Sequence, residues 1–302
     1  MKPFETPTYN LTSNQLVKEE VIDHDFRQMV GDRMNHSLNE NAIAFSFQEN
    51  AIDNDEFIEK MSIEFKITTT QIETFLLFLW FVKDNSISLE EAYGQFTNAK
   101  SFIWYTGNTV CSTCDGKFIK TTFTDDEIFQ AVDLLLKYTK NIYGESGIPS
   151  QQESFTNNKK YETRFRPSVD PSKDENRIER ALTFLNTARS VPHLPQKITQ
   201  YMSILECLFS INSNKIVHNI TERVAYYLEE TSVKKTIKEA YDIRSRFVHG
   251  NKMKKQHDYI CNIARDVDKI VRSILKKIIV SDYEIFSQNN LGPFLKNLNS
   301  KK

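Results

Sequence analysis

The second half of the chain is a succession of helical stripes. Ile178, Ala181, Leu182, Leu185 and Ala188 recur at three- and four-residue steps, as do Ile198, Tyr201, Met202, Leu205, Leu208 and Phe209. Val224, Tyr227 and Leu228 follow. The longest stripe is Ile260, Ile263, Ala264, Val267, Ile270, Val271, Ile274, Leu275 and Ile278. This period marks the core-facing side of an α-helix. A further helix over 233–249 is marked by Val233, Ile237, Ala240, Tyr241, Arg244 and Val248, and Gly250 follows it. Glycine is the usual residue just past a helix end. Five such helices with short connections predict an all-α bundle over 174–285, with a tail over 286–302.

The first half is patterned differently. Residues 42–47 alternate like a strand, and 101–105 and 117–123 are rich in Ile, Phe, Tyr and Thr, which favours strands. Residues 56–65 read as a helix. Residues 70–83 form a second one, apolar nearly all round and therefore central to whatever core holds it. Thr124-Asp125-Asp126-Glu127 is a capping box that opens a helix ending near Tyr143-Gly144. The expectation is an α+β protein: a mixed α/β sensor or regulatory domain over 1–145, then a helical domain. Polar residues with Pro149, Pro167 and Pro171 mark a linker over 146–173.

Charge adds a direction. The net charge of −1 conceals a split, with 12 basic against 23 acidic residues in 1–150 and 27 against 17 in 151–302. A basic half suits a polyanionic partner, although lysine-rich helix faces are also ordinary solvated surface. The apolar run from Phe75 to Val82 is too short to span a bilayer. The polar N-terminus shows no secretory signal. Four scattered cysteines, two of them (Cys207 and Cys261) in apolar helix stretches, argue against a disulfide framework and for the cytoplasm.

Cys111 and Cys114 have knuckle spacing, but a structural zinc needs two more ligands, and no histidine lies between His36 and His193. Asp115-Gly116 reads instead as the turn of a β-hairpin with two thiols at its tip. The residues call for no metal or cofactor.

The helix over 233–249 ends in Arg244-Ser245-Arg246-Phe247-Val248-His249-Gly250. Arginine is permanently cationic and can fork onto a phosphate. Histidine exchanges a proton near neutral pH. Five positions apart, the two side chains are about 140° apart around an ideal helix, so they do not share a stripe. Lys252, Lys254 and Lys255 follow directly. Glu206 sits between Leu205 and Leu208. It is either a solvent-facing glutamate or a carboxylate that orients Arg244 or His249.

An arginine and histidine at this spacing resemble the Arg-x(4–6)-His motif of the HEPN superfamily. The succession Arg177-Ile178-Glu179-Arg180-Ala181-Leu182, Lys197-Ile198, 204–210, Glu222-Arg223-Val224-Ala225 and Tyr241-Asp242-Ile243-Arg244-Ser245 is similar to its Apea-like branch. The likeness covers roughly 174–282. Ser245 stands where many HEPN nucleases carry Asn, Asp or His, as in that branch.

The resemblance implies a metal-independent endoribonuclease. Arg244 and His249 would be its catalytic residues, with Glu206, Ser245 and Arg246 supporting them and Lys252, Lys254 and Lys255 on the RNA. It also implies a homodimer whose two helix ends share one cleft, and 2′,3′-cyclic phosphate and 5′-hydroxyl products. Antiviral defence against phage, with a regulator or phage component acting through the first domain, follows from the same likeness. A toxin-like role is a variant of it. The alternative is a non-cleaving HEPN module that binds nucleotides or RNA and dimerises.

Overall fold

The computed structural model describes residues 10–12, 22, 24–40, 43–45, 55–96, 101–107, 110–144, 176–211, 215–253, 255–288 and 290–300. The chain divides into two compact units. The first comprises Met1–Lys66 with Tyr93–Trp104, and the second Ile67–Ala92 with Tyr105–Lys302.

In the first unit, strand β1 (Asn10–Thr12) pairs antiparallel with β2 (Ile43–Phe45), Leu11 facing Ala44. Helix α1 (His24–Glu40) lies between them in sequence and is interrupted at Gly31, whose φ of 78° suits glycine. Helix α2 (Asp55–Val82), of which residues 67–82 belong to the second unit, is continuous, where the sequence predicts two helices over 56–65 and 70–83. The run Lys66-Ile67-Thr68-Thr69-Thr70 lacks Gly and Pro, and β-branched residues lower helix propensity without ending a helix. The Thr74 hydroxyl donates back to the Thr70 carbonyl one turn earlier, so its polar group is satisfied within the helix.

Strands β3 (Glu91–Phe96) and β4 (Ser101–Thr106) form a second two-stranded ladder. The described residues are otherwise mostly helical, which corrects the α+β expectation with its mixed α/β domain. The expected strand over 117–123 does not form. Ile119 exchanges its hydrogen bonds with the Ser86 hydroxyl (2.8 and 3.0 Å) rather than with a neighbouring strand. β propensity expresses itself only where a partner edge is present.

The second unit is a helical assembly. Its helices are α3 (Asp125–Tyr143), α4 (Arg177–Ser190), α5 (Leu194–Phe209), α6 (Ile216–Leu228), α7 (Val233–Val248) and α8 (His257–Lys277). A π-turn (Ile278–Asp282), α9 (Tyr283–Phe286) and α10 (Gly292–Ser300) follow. Helix α3 starts at the expected capping box: Thr124 accepts from the Glu127 amide while Glu127 accepts from the Thr124 amide.

Helix α5 is central, with α4, α7 and α8 all packed on it. The predicted stripe residues of α4, α5 and α8 are buried. Phe78, Trp80 and Phe81 of α2 and Tyr138 of α3 belong to the same core. Burial of each such side chain contributes roughly 1.5–3 kcal/mol. Residues 67–92 and 105–143, expected in a separate N-terminal domain, thus share one unit and one core with the bundle. The linker over 146–173 lies outside the described residues. Among the described residues no helix is long and apolar enough to cross a membrane.

Candidate functional site

Helix α7 ends as its sequence predicts. Asn251 N–H donates to the Arg246 carbonyl (2.8 Å) and Gly250 N–H to the Phe247 carbonyl (3.2 Å). Gly250 has a φ of 67°. This paired arrangement closes a helix on a left-handed glycine. It leaves His249 as the exposed C-cap. The imidazole has no hydrogen-bond partner among the described residues.

Arg244 lies one and a half turns earlier and is half-buried. Its Nη2 is 3.3 Å from Glu206 Oε2 on α5. The Tyr241 hydroxyl donates to the other Glu206 oxygen at 2.6 Å. The Arg244 guanidinium stands 5.2 Å from the centre of the Tyr241 ring. Burial, and then the bond to Glu206, push the Tyr241 phenol up to about 12, so it stays a donor at neutral pH. Arg244 Nε is buried and has no partner among the described residues. A half-exposed cation held from below by one carboxylate is suited to a phosphate arriving from solvent.

Two other arginines close the C-terminal end of α5, just beyond Glu206. Arg177 donates to the Cys207 and Ser210 carbonyls (3.0 and 2.9 Å), and Arg223 to the Phe209 carbonyl (2.5 Å). Together they satisfy carbonyls at the C-terminal end of α5, which otherwise lack partners. The arginines in Arg177-Ile178-Glu179 and Glu222-Arg223-Val224 therefore cap the last turn of α5, the turn that begins at Glu206.

Of the other expected site residues, Arg246 pairs with Asp242 at 2.9 Å along the helix surface. Ser245 is half-buried, and its carbonyl accepts from the His249 amide at 3.1 Å. Lys252 is exposed, and Lys255 places its ammonium 4.5 Å from the centre of the Tyr259 ring. Lys254 lies outside the described residues. The structure thus joins Arg244 to Glu206, while Arg244 and His249 make no hydrogen bond to each other. Tyr241 is the residue that site reasoning missed. Its signal was its place one turn before Arg244.

A second polar cluster lies inside the bundle. The turn at Asp115-Gly116 is present, with Gly116 N–H donating to the Thr113 carbonyl, but it is not a hairpin tip. Gly116 has a φ of 76°, and a Cβ there would come within 2.3 Å of the Pro192 carbonyl oxygen. Only glycine lets this turn seat against the α4–α5 connection. Ser112 N–H donates to the Arg189 carbonyl (2.8 Å), and both Cys111 and Cys114 are buried. Cys261 is also buried, and Cys207 is half-buried.

Behind this turn, the fully buried Asp268 of α8 accepts from Trp80 Nε1 (3.1 Å), the Tyr201 hydroxyl (2.8 Å) and Arg272. Burial pushes its carboxyl up to about 6 against the pull of Arg272. Asp84 accepts from the Cys114 amide at 2.9 Å and lies 4.0 Å from Arg272. Lys197, wholly buried, donates to the Ala188 carbonyl at 2.5 Å, and burial lowers its ammonium to about 8.

The ligand atoms of Asp84, Cys114 and Asp268 lie within 4.8 Å of one another, a spacing an ion could bridge. Arg272 already supplies positive charge to both carboxylates. Burial and the nearby aspartates hold the Cys114 thiol well above its usual range, which disfavours the thiolate a metal requires. These residues do not fit a metal centre. The cluster ties α2, α5 and α8 to the cysteine turn.

Comparison of the chain with protein-family models, with curated proteins and with solved structures gives no match.

Proposed function

We propose that the chain is a metal-independent endoribonuclease of HEPN type that works at the C-terminal end of α7. The observation that carries this reading is Arg244. Its guanidinium is anchored by Glu206 and Tyr241 but left partly open, on a helix whose exposed cap is His249. No acidic residue occurs between Asp242 and Asp258, a stretch that holds Lys252, Lys254 and Lys255. Such a stretch favours a phosphodiester backbone.

RNA brings its own nucleophile. The 2′-oxygen forms a bond to phosphorus, the bond from phosphorus to the 5′-oxygen breaks, and a 2′,3′-cyclic phosphate and a 5′-hydroxyl result. One proton leaves the 2′-hydroxyl and one reaches the departing oxygen. His249 of one chain serves as base and His249 of a second copy as acid. Arg244 stabilises the charge on the phosphorane through fixed hydrogen bonds. The roughly 140° between the two side chains on α7 is the reason for a second copy, since a two-fold contact sets each patch against itself. The compartment is the cytoplasm, and phage defence or a toxin-like role is the biological setting.

The lack of a hydrogen bond between Arg244 and His249 also favours a second reading, a module that binds RNA without cutting it. Incubation of the full chain with end-labelled RNA in excess chelator separates the two. Cleavage with cyclic-phosphate and 5′-hydroxyl ends is expected. Intact RNA, or cleavage that needs added magnesium, would sink the nuclease reading.

A further inference from the structure

Two apolar side chains at the end of α7 remain open to solvent. Phe247 is 37% exposed and Val248 55%. The Phe247 ring lies against the imidazole of His193, centres 5.4 Å apart and planes tilted by 45°. His193 precedes α5 as its N-cap and makes no capping hydrogen bond with its side chain, which packs on Phe247 instead.

Residues 243–257 hold five Lys or Arg and two His without one Asp or Glu. Within this acid-free stretch, Lys252 and Lys255 are exposed. An exposed ring in a setting where, among the described residues, Lys252 and Lys255 outnumber the one surface carboxylate that pairs locally, Asp242 with Arg246, is chemically unlike the core of a protein–protein contact, where charge is depleted. It matches what single-stranded nucleic acid offers, an aromatic face carried on a polyanion.

We propose that Phe247 and His193 form a base-stacking subsite, which receives one unpaired nucleobase of the RNA beside the phosphate handled by Arg244 and His249. The inference rests on the RNA reading of that site. Bases inside a duplex cannot present a face to a ring, so the subsite selects unpaired substrate. Phe247 supplies the apolar plane, and His193 braces its other side. The exposed lysines hold the flanking backbone.

The test uses the full chain and a fluorescent single-stranded oligoribonucleotide carrying 2′-O-methyl groups throughout. It lacks the nucleophile and stays intact. A duplex of the same sequence is the control. Phe247→Ala is expected to weaken single-strand binding roughly tenfold or more, the loss of one base stack, and to leave duplex binding unchanged. Phe247→Trp should bind at least as tightly as wild type. Phe247→Leu, which keeps bulk without a π face, should resemble Phe247→Ala. His193→Ala should fall between them.

Equal single-strand affinity for wild type and Phe247→Ala overturns the subsite. So does an equal loss on single strand and duplex, or a wild type that does not prefer the single strand. A change in oligomeric state on light scattering also overturns it, because the ring would then belong to a contact between copies. The nuclease reading fails separately. A chain that leaves unmodified RNA intact, yet binds the methylated strand through Phe247, keeps the subsite and loses the enzyme.

Discussion

The buried cluster around Asp268 and the end of α7 contain the same kinds of side chain and use them in opposite ways. In the cluster, Arg272 faces two carboxylates and the Trp80 ring, and its side chain is 14% exposed. At the helix end, Arg244 faces one carboxylate that already accepts from Tyr241, and it is 26% exposed. The charge of Arg272 is engaged inside the protein. Part of the charge of Arg244 is still available to a ligand. A half-open cation on a rigid helix is a better functional candidate than a deeply buried one, even when the buried one sits among potential metal ligands.

The largest effect is expected in the buried cluster. Asp268→Ala leaves Trp80 Nε1 and the Tyr201 hydroxyl without their acceptor, and Arg272 with only Asp84 at 4.0 Å. Removing one partner of a buried pair costs roughly 3–5 kcal/mol. Denaturant unfolding should register a loss of this size, and a loss below about 1 kcal/mol would mean that the cluster does not hold the bundle.

Arg244→Ala and His249→Ala reverse the pattern. Each should lower RNA cleavage on the order of 10²–10³-fold, as expected for a preorganised charge contact or an acid–base group. Stability should shift by less than about 1 kcal/mol, because neither truncation opens a core cavity. The two losses should not add, since both groups serve one transition state. Arg244→Lys should rescue poorly for want of the fork. Wild-type cleavage by His249→Ala would end the assignment.

Acid separates the regions by pH. Burial would raise Asp115, but hydrogen bonds from Thr113, Arg265 and Lys117 outweigh it and hold the carboxyl down to about 2. Its ordinary value is 3.8. The fold therefore gains stability from this ionised group above about pH 4 and loses it as pH falls towards 2. The linkage amounts to roughly 2 kcal/mol. Urea unfolding between pH 5 and 2 should show a shallower acid loss for Asp115→Asn than for wild type. Parallel curves would show that the cysteine turn is not held by this carboxylate.

The smallest effect sharpens the helix end. Tyr241→Phe deletes one hydroxyl and keeps the ring under Arg244. Stability should fall by about 1 kcal/mol, the net worth of one hydrogen bond. Cleavage should fall about tenfold in kcat with KM little changed, because a Glu206 freed from Tyr241 no longer fixes the fork of Arg244. A loss confined to stability would make Tyr241 structural only.

Much of the bundle was legible in the sequence. The stripes of α4, α5 and α8 are core faces, the Thr124 capping box opens α3, and Gly250 closes α7. Asp268 could also have been found. It lies four residues after Ala264 and three before Val271, on the buried face of its own stripe. The first half was read less well. Residues 117–123 have strand composition but no partner edge. The Cys111–Cys114 turn reads as a solvent tip because turn chemistry does not say what the turn is pressed against.

By itself the sequence determined the local quantities: helix periods, caps, the left-handed glycines at the two turns, and the spacing of Arg244 and His249. These depend on neighbours within a turn or two. Only the tertiary structure decided that α2 and α3 share a core with the later helices, and that Arg272 is spent on Asp84 and Asp268. The same holds for Arg244, which leans on Glu206 under Tyr241. An apolar face records that something must cover it. Which element does so is set by long-range packing, and a charge takes its role from the partners that packing brings to it.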